Sequence, residues 1–330
     1  MNRARVTDPS STGTPRRAWS RYAWRAVQGA LAVVALIYAY RALHSQWTGA
    51  SVKMGALRLE WRWIAASGAV FLLTYSVLAE TWREILRAWG SKLRFTSAVR
   101  IWAVSNLGRY IPGKLWQIGA MGFMAERERV SPVAATGSAI LNVVINLIAG
   151  FAVVAVFGWP LLHLQAVGGL RTNVLFLLVC VGILSAMPLL FPVVLPLLSK
   201  ITGRDLNIGA PPCAAILISL AGNVVAWLLY GVAFALFARG VLGTSEGPIT
   251  GYIAVYALSY IVGYLVLLAP AGVVVREAAM IALLPAAHIA DPTQAAVLAV
   301  TSRLWLTALE IAPGALFLGV EGLRRRPRAQ

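Results

Sequence analysis

The sequence predicts an all-α integral membrane protein with about eight transmembrane crossings. Three observations lead to this fold class. Hydrophobic residues make up 59% of the 330 residues and charged residues only 12%, about half the charged share of a soluble domain. Several apolar segments exceed about 18 residues, a length that can span a bilayer. The basic residues gather at segment ends, as they do in cytoplasmic loops.

The net charge of +17 is distributed in clusters. Six arginines lie in residues 3–25, five basic residues in 83–100 and four arginines in 324–328, together 15 of the 29 basic residues. This pattern favours cytoplasmic loops and contact with anionic lipid, so no nucleic-acid partner is expected. We predict a multi-pass protein of the cytoplasmic (inner) membrane with both termini in the cytoplasm.

The domain organisation follows from the same composition. Residues 1–22 are predicted as a basic disordered cytoplasmic tail, 23–322 as a single polytopic membrane domain and 323–330 as a basic cytoplasmic tail. Seven full spans and two broken or re-entrant segments would place the basic carboxyl-terminal tail outside. We therefore expect one broken segment to cross completely. The full spans are predicted at Trp24–Leu43, Trp61–Trp82, Pro132–Phe157, Asn173–Leu198, Cys213–Ala238, Gly251–Leu268 and Thr293–Val320.

The first broken segment, 105–117, reads Ser-Asn-Leu-Gly-Arg-Tyr-Ile-Pro-Gly-Lys-Leu-Trp-Gln. A helix must break near Pro112 because proline lacks an N–H and clashes with the preceding turn. Gly108 and Gly113 complete the predicted hinge. The helix that follows, to about Ala125, would point free N–H groups and partial positive charge into the break, which favours anions.

Four polar side chains lie in this break, and we interpret them as candidate substrate-binding residues: Asn106, Arg109, Lys114 and Gln117. Irregular backbone at membrane depth is tolerated only where it is buried in protein or lines a wet cavity. In the alternative interpretation, the helix is only kinked at its proline, and Arg109 and Lys114 extend to the cytoplasmic lipid surface.

The second broken segment, Ala269–Glu277, carries the predicted hinge residues Pro270 and Gly272 and then the candidate site residues Arg276 and Glu277. Charged groups within spans are rare and usually functional. An internal ion pair that holds helices together is the alternative for the two charged residues.

The two broken segments form a weak internal repeat. Pro112 is followed 20 residues later by Pro132 and a long helix. Pro270 is followed 22 residues later by Pro292 and another long helix. Corresponding interrupted segments point to a central binding site in transporter folds.

Polar residues also interrupt two of the long spans. Ser138, Asn142 and Asn146 recur every four residues and share one helix face. This face either lines a substrate path or forms hydrogen bonds between helices. Arg303 and Glu310 lie in the last span. They are candidate binding residues, and the alternative is that they form internal ion pairs.

These motifs resemble the flippase-like membrane proteins related to the transmembrane region of lysylphosphatidylglycerol synthase. The resemblance rests on Asn106–Gly113 before a short helix, on Pro-x-Gly-x-x-x-Arg-Glu at Pro270–Glu277 and on Arg303, and it covers roughly residues 60–320. It implies broken or re-entrant helices and the movement of lipids or lipid-linked sugars, often beside glycosyltransferases or aminoacyl-lipid synthases. The chain departs from the family in the long helix after the first motif, which often carries arginine in relatives and here has Asn142 and Asn146. The first motif also continues Lys-Leu-Trp-Gln instead of a glycine-rich turn with a following arginine.

We therefore expect membrane translocation, or flipping, of an anionic phospholipid or a polyprenyl-phosphate-linked glycan, with its phosphate held at broken-helix N termini by arginine and lysine. The expected partners are membrane lipids, this substrate and a glycosyltransferase. The alternative is a non-transporting membrane scaffold or partner of a glycosyltransferase in cell-envelope lipid or glycan synthesis.

An enzyme is not expected. The acidic residues in the spans are scattered, at Glu80, Glu277 and Glu310, and no Asp-x-Asp occurs. The three histidines form no metal-ligand spacing, so we predict no catalytic residue, no metal and no cofactor. Cys180 and Cys213 lie in apolar runs, where thiols usually just fill space, and no structural disulfide is expected.

Overall fold

The computed structural model describes residues 59–110, 115–158, 209, 211–243, 246–265 and 274–325. Across these residues the chain is 87% helical and contains no strand. The described elements, in chain order, are α1 (Trp61–Ala88), α2 (Phe95–Asn106), a 3₁₀ turn (Leu107–Tyr110), α3 (Leu115–Arg127), α4 (Pro132–Phe157), α5 (Cys213–Leu242), α6 (Ile249–Leu265), α7 (Val275–Ala286) and α8 (Pro292–Arg325).

Four described helices are long and apolar enough to cross a membrane. They are the stretches Trp61–Ala88, Val133–Phe157, Cys213–Leu242 and Pro292–Val320, and the shorter apolar helix Ile249–Tyr264 lies among them. At about 1.5 Å of rise per residue, each of the four exceeds the roughly 30 Å hydrocarbon core. The prediction of an all-α membrane protein is confirmed in this form, while the count of about eight crossings stays a prediction.

Most predicted span boundaries agree with the structure. Helix α4 has Pro132 in its first turn, where the missing N–H carries no penalty. Helix α5 runs past its predicted end to Leu242 and stops at Gly243, whose φ of 75° is typical of a glycine that ends a helix. Helix α8 continues to Arg325, because arginine is a good helix former and is favourable near a helix C terminus.

Several predictions fall outside the described residues. These are the spans 24–43 and 173–198, the tail 1–22, the last five residues of the tail 323–330, and the residues Pro112, Gly113, Lys114, Pro270 and Gly272.

The largest part of the core lies where α1, α4, α5, α6, α7 and α8 meet. Its biggest fully buried side chains there are aromatic, with Phe71 on α1, Trp227 on α5 and Tyr252 on α6. A second cluster surrounds Trp82 and joins α1 to α2, α3 and the start of α4. The broken segment at the end of α2 is thereby fixed against two long helices.

The described α-helix is interrupted beside the first predicted break, while the re-entrant form of the segment stays a prediction. The α-helical part of the segment ends at Asn106 and continues as the 3₁₀ turn Leu107–Tyr110, and a new helix is present from Leu115. A Cβ on Gly108 would lie 3.0 Å from the backbone nitrogen of Gln117. The turn therefore packs directly against the first turn of α3, and glycine permits this close approach.

The second break ends in a strained residue. Helix α6 ends at Leu265 and α7 begins at Val275. Val274, immediately before α7, has φ 77° and ψ −52°, close to a rare and strained γ-turn conformation. Such a conformation in a β-branched residue persists only when the surroundings hold it in place, and it is often found at functional sites.

Candidate functional site

A small polar cavity lies beside the first break, between α1, α2, α4, α5 and α6. Its volume is about 70 Å³, room for roughly five water molecules. Five of the predicted binding residues line it: Asn106, Arg109, Gln117, Asn142 and Asn146. The structure thus brings together side chains from the first break and from the polar face of α4.

Asn106 and Gln117 join the two sides of the break. The amide of Asn106 donates to the hydroxyl of Tyr75 on α1. The amide nitrogen of Gln117 on α3 donates to the Asn106 side-chain oxygen at 3.3 Å. These hydrogen bonds hold the cavity wall in one geometry, since Asn106 is buried and must satisfy its polar atoms inside the protein.

Arg109 points into the helix bundle. Its Nη1 donates to Glu310 Oε1 on α8 at 2.6 Å, and its Nη2 donates to the hydroxyl of Tyr260 on α6 at 2.8 Å. The Arg109 side chain is 21% exposed and that of Glu310 is 10% exposed. The alternative in which Arg109 extends to the lipid surface therefore does not describe this structure, and Glu310 is a member of an internal ion pair.

Arg276 contacts the ring of the same tyrosine. It is 5% exposed, and its guanidinium carbon lies 4.9 Å from the ring centre of Tyr256 and 5.5 Å from that of Tyr260. Guanidinium groups over tyrosine faces are attracted by the ring quadrupole. Tyr260 therefore contacts one arginine from each of the two broken segments. The internal repeat predicts that these two segments meet at a common central site.

One nitrogen of Arg276 is left without a partner. Its Nη2 atom is buried and, within the described residues, forms no hydrogen bond. A buried charged donor without an acceptor is costly. The contacts with the two tyrosine rings stabilise one face of the Arg276 guanidinium. Its Nη2 group can still donate to an acceptor that the described residues do not supply.

Glu277 acts on the backbone at the start of α7. Its Oε2 accepts the N–H of Val274 at 2.6 Å, which holds Val274 in its strained conformation. Its Oε1 lies 3.7 Å from Nε of Arg303. The charged residues of the site thus pair as Arg109 with Glu310 and Arg303 with Glu277, in contacts between helices rather than within one.

The polar face of α4 divides between two roles. Ser138 accepts the indole N–H of Trp82 at 2.8 Å and so faces α1. Asn146 donates to Asn223 of α5 at 2.8 Å, and Asn142 accepts from Asn223 at 3.4 Å. Both asparagines also line the cavity. The asparagines therefore connect helices and also form the cavity wall, and their place on a substrate path stays a prediction.

The tyrosines of the site were missed by the sequence analysis. Tyr252, Tyr256, Tyr260 and Tyr264 recur every four residues in α6, a spacing that places them on one face. The rings of Tyr256 and Tyr260 stack at 6.3 Å between centres, and those of Tyr260 and Tyr264 at 6.5 Å. Tyrosine repeated every four residues in an apolar helix is the sequence signal that could have predicted the aromatic surface against which Arg276 packs.

Comparison with known proteins finds no matching family model and no matching curated protein. The resemblance to the flippase-like family therefore stays a prediction. The described residues also contain no group of three or more histidine, cysteine, aspartate or glutamate side chains that could hold a metal ion.

The site can be characterised by its charge. In the described part it contains three arginines, Arg109, Arg276 and Arg303, and two glutamates, Glu277 and Glu310. Its cationic groups lie among apolar helices, where a positive charge is expensive unless it is balanced. An anionic ligand is the group that this balance of charges favours.

Proposed function

We propose that this protein translocates an anionic lipid, a phospholipid or a polyprenyl-phosphate-linked glycan, across the membrane, with the phosphate bound by Arg276 and Arg109. The observation that carries the proposal is the buried guanidinium of Arg276, which has an open N–H among the described residues. Phosphate oxygens are strong acceptors for this planar donor.

The membrane setting explains why such a site would be built. A phosphate head group cannot cross roughly 30 Å of hydrocarbon without polar partners. Arg109 and Arg276 are largely buried among the described helices. Arg109 lines the cavity together with Asn106, Asn142 and Asn146, and Arg276 contacts Tyr260 of the cavity wall. These amides can donate to and accept from a polar head group, as a translocation path requires.

The cavity has room for a phosphate group. Its volume of about 70 Å³ holds roughly five waters, which is enough for one phosphate. We infer that the phosphate is the part of the substrate held here.

Reconstitution tests the proposal directly. The full chain is placed in phosphatidylcholine liposomes with fluorescent analogues of phosphatidic acid or polyprenyl phosphate, and dithionite quenching reports translocation. Arg276→Lys is expected to lower the rate about tenfold or more, because lysine keeps the charge and loses the planar fork and the stacking on tyrosine.

The matched control is Arg325→Lys at the end of α8, which makes the same chemical change far along the helix from Glu310. It is expected to leave the rate unchanged. If the wild-type protein does not accelerate translocation of either lipid, the proposal is wrong, and a scaffold for a glycosyltransferase becomes the better account.

A further inference from the structure

Glu310 occupies an unusual position in the site. It lies in the middle of α8, its side chain is 10% exposed, and its Oε1 is 2.6 Å from Nη1 of Arg109. Tyr260, the other hydrogen-bond partner of Arg109, also lies under the guanidinium of Arg276. The carboxylate therefore pairs with a guanidinium from the first break, and a tyrosine joins that guanidinium to one from the second break.

Glu310 already pairs with the charge of Arg109. One terminal nitrogen of the Arg109 guanidinium donates to Glu310 and the other donates to Tyr260. Each terminal nitrogen carries a second N–H, but a phosphate that bound beside Glu310 would meet a like charge, so the charge-assisted pairing that arginine favours for phosphate is gained in full when the carboxylate leaves. The carboxylate is the anion of the two acceptors, so it holds the position that a phosphate oxygen would take.

We propose that Glu310 is a resident counter-ion, which occupies Arg109 in the unloaded protein and is displaced from it by the phosphate of the substrate. This inference rests on the proposed phosphate site. The open N–H of Arg276 supplies a first contact for the incoming phosphate, and exchange at Arg109 follows.

Counter-ion exchange has a consequence for specificity. Arg109, Arg276 and Glu310 together carry one net positive charge, so a ligand that brings net negative charge balances the site. A zwitterionic lipid brings no net charge and competes poorly with a carboxylate held at 2.6 Å. The exchange therefore selects lipids with net negative charge over phosphatidylcholine, because only a net anionic head group replaces the charge of the displaced carboxylate.

An equilibrium binding measurement tests the inference without requiring transport. The full chain in phosphatidylcholine nanodiscs is titrated with short-chain fluorescent phosphatidic acid and, separately, with a polyprenyl phosphate. Glu310→Gln is expected to bind one or both lipids about tenfold more tightly than wild type, because the competing carboxylate is gone. A gain with neither lipid overturns the inference.

A control separates displacement from a general effect of charge. In an Arg109→Gln background, removing the Glu310 carboxylate should produce no gain, since no guanidinium is released. If the gain persists there, Glu310 acts on the site only through its charge, and the displacement model is wrong. Should Glu310→Gln fail to fold, Glu310→Asp replaces it, because the shorter side chain keeps the charge but weakens the contact and should bind more tightly than wild type.

The outcomes also separate this inference from the proposed function. If wild type binds the lipids and Glu310→Gln binds them equally or more weakly, only the counter-ion inference is wrong. If neither protein binds either lipid, the phosphate site is wrong, and the inference is wrong with it. If Glu310→Gln shows the gain but the protein does not translocate lipid, the inference stands and the transport proposal is wrong.

Discussion

The backbone of α6 at Ile253 packs directly against Gly231 of α5. A Cβ added at residue 231 would lie 2.5 Å from the Cα of Ile253 and 2.4 Å from its Cγ1. Small residues let membrane helices approach this closely. Backbone cannot move aside as a flexible side chain can, so the two helices would have to separate, and α6 would move with its tyrosine face.

We therefore expect Gly231→Ala to lower stability by roughly 1–3 kcal/mol, the usual range for overpacking. Thermal unfolding in detergent would measure the change. Gly119→Ala is the matched control, because a Cβ at this exposed position in α3 meets nothing within 4 Å and alanine favours a helix. Equal melting temperatures for Gly231→Ala and wild type would contradict the close packing described here.

Asn142 and Asn223 provide a test of the polar face of α4. The Asn142 side chain lines the cavity and its two hydrogen bonds are long, 3.3 Å from Thr81 and 3.4 Å from Asn223. Hydrogen bonds between membrane helices average roughly 0.6 kcal/mol. Asn142→Leu is therefore expected to reduce phosphatidic acid translocation while changing the melting temperature little.

Asn223 is the counterpart with the structural role. It accepts from Asn146 at 2.8 Å and donates to the backbone of Ser219 at 2.8 Å, and it is fully buried. Asn223→Leu should lower the melting temperature more than Asn142→Leu does. A reversed order, with Asn142→Leu the less stable protein and normal transport per folded molecule, would show that Asn142 serves only packing.

Local features of this fold were predictable from the sequence because they depend on single residues. Pro132 and Pro292 mark helix starts, since proline is tolerated in a first helical turn. A break over Gly108–Gly113 was expected from a proline inside an apolar segment, and the described α-helix ends at Asn106, two residues earlier. Such signals act within a few residues of their cause, and the structure places the described boundaries within a few residues of the predicted ones.

The pairing of charges could not be predicted in the same way. Arg109 and Glu310 are 201 residues apart, and the helix period only tells which residues share a face, not which helices become neighbours. The tyrosine face of α6 was missed for a related reason. Tyrosine counts toward an apolar segment, so the repeat from Tyr252 to Tyr264 is hidden within a predicted span.

The two contacts of Tyr260 can be separated by substitution. Its hydroxyl accepts from Arg109 at 2.8 Å, and its ring lies under Arg276 at 5.5 Å. Tyr260→Phe removes the hydroxyl and keeps the ring, whereas Tyr260→Leu removes both. If stacking on the ring holds Arg276 in its binding position, we expect Tyr260→Phe to bind phosphatidic acid nearly as wild type does.

Tyr260→Leu should then bind phosphatidic acid several-fold more weakly, since a cation–π contact is worth about 1–2 kcal/mol when it is buried. Fluorescence titration of both variants in nanodiscs gives the comparison. Equal affinities for the two variants would mean that the ring does not position Arg276.

The orientation of the chain is tested at its tails. Dense arginine near both ends predicts that both termini lie in the cytoplasm. In a variant without Cys180 and Cys213, single cysteines are introduced at Thr14 and Ala329. Neither should react with an impermeant maleimide in intact cells, and both should react after lysis. Reaction of either one in intact cells would show that its tail is outside.

The ion pair between Arg109 and Glu310 yields a final prediction about stability. Both side chains are largely buried, and the pair joins the 3₁₀ turn to α8. Removing one partner takes the ion-pair partner at 2.6 Å away from a largely buried charge, and breaking a buried pair in this way typically costs about 3–5 kcal/mol. Arg109→Met and Glu310→Met should each lower the melting temperature substantially, with Tyr260 unable to replace the carboxylate because its hydroxyl is neutral.

The double variant, Arg109→Met with Glu310→Met, should recover most of this loss. Replacing a buried ion pair by apolar side chains of similar volume is often nearly neutral, because neither charge then needs to be desolvated. The double-mutant cycle is expected to show a coupling free energy of about 2 kcal/mol or more. Additive effects of the two single substitutions would mean that the two residues do not interact in the folded protein, and that Glu310 cannot be the counter-ion of Arg109.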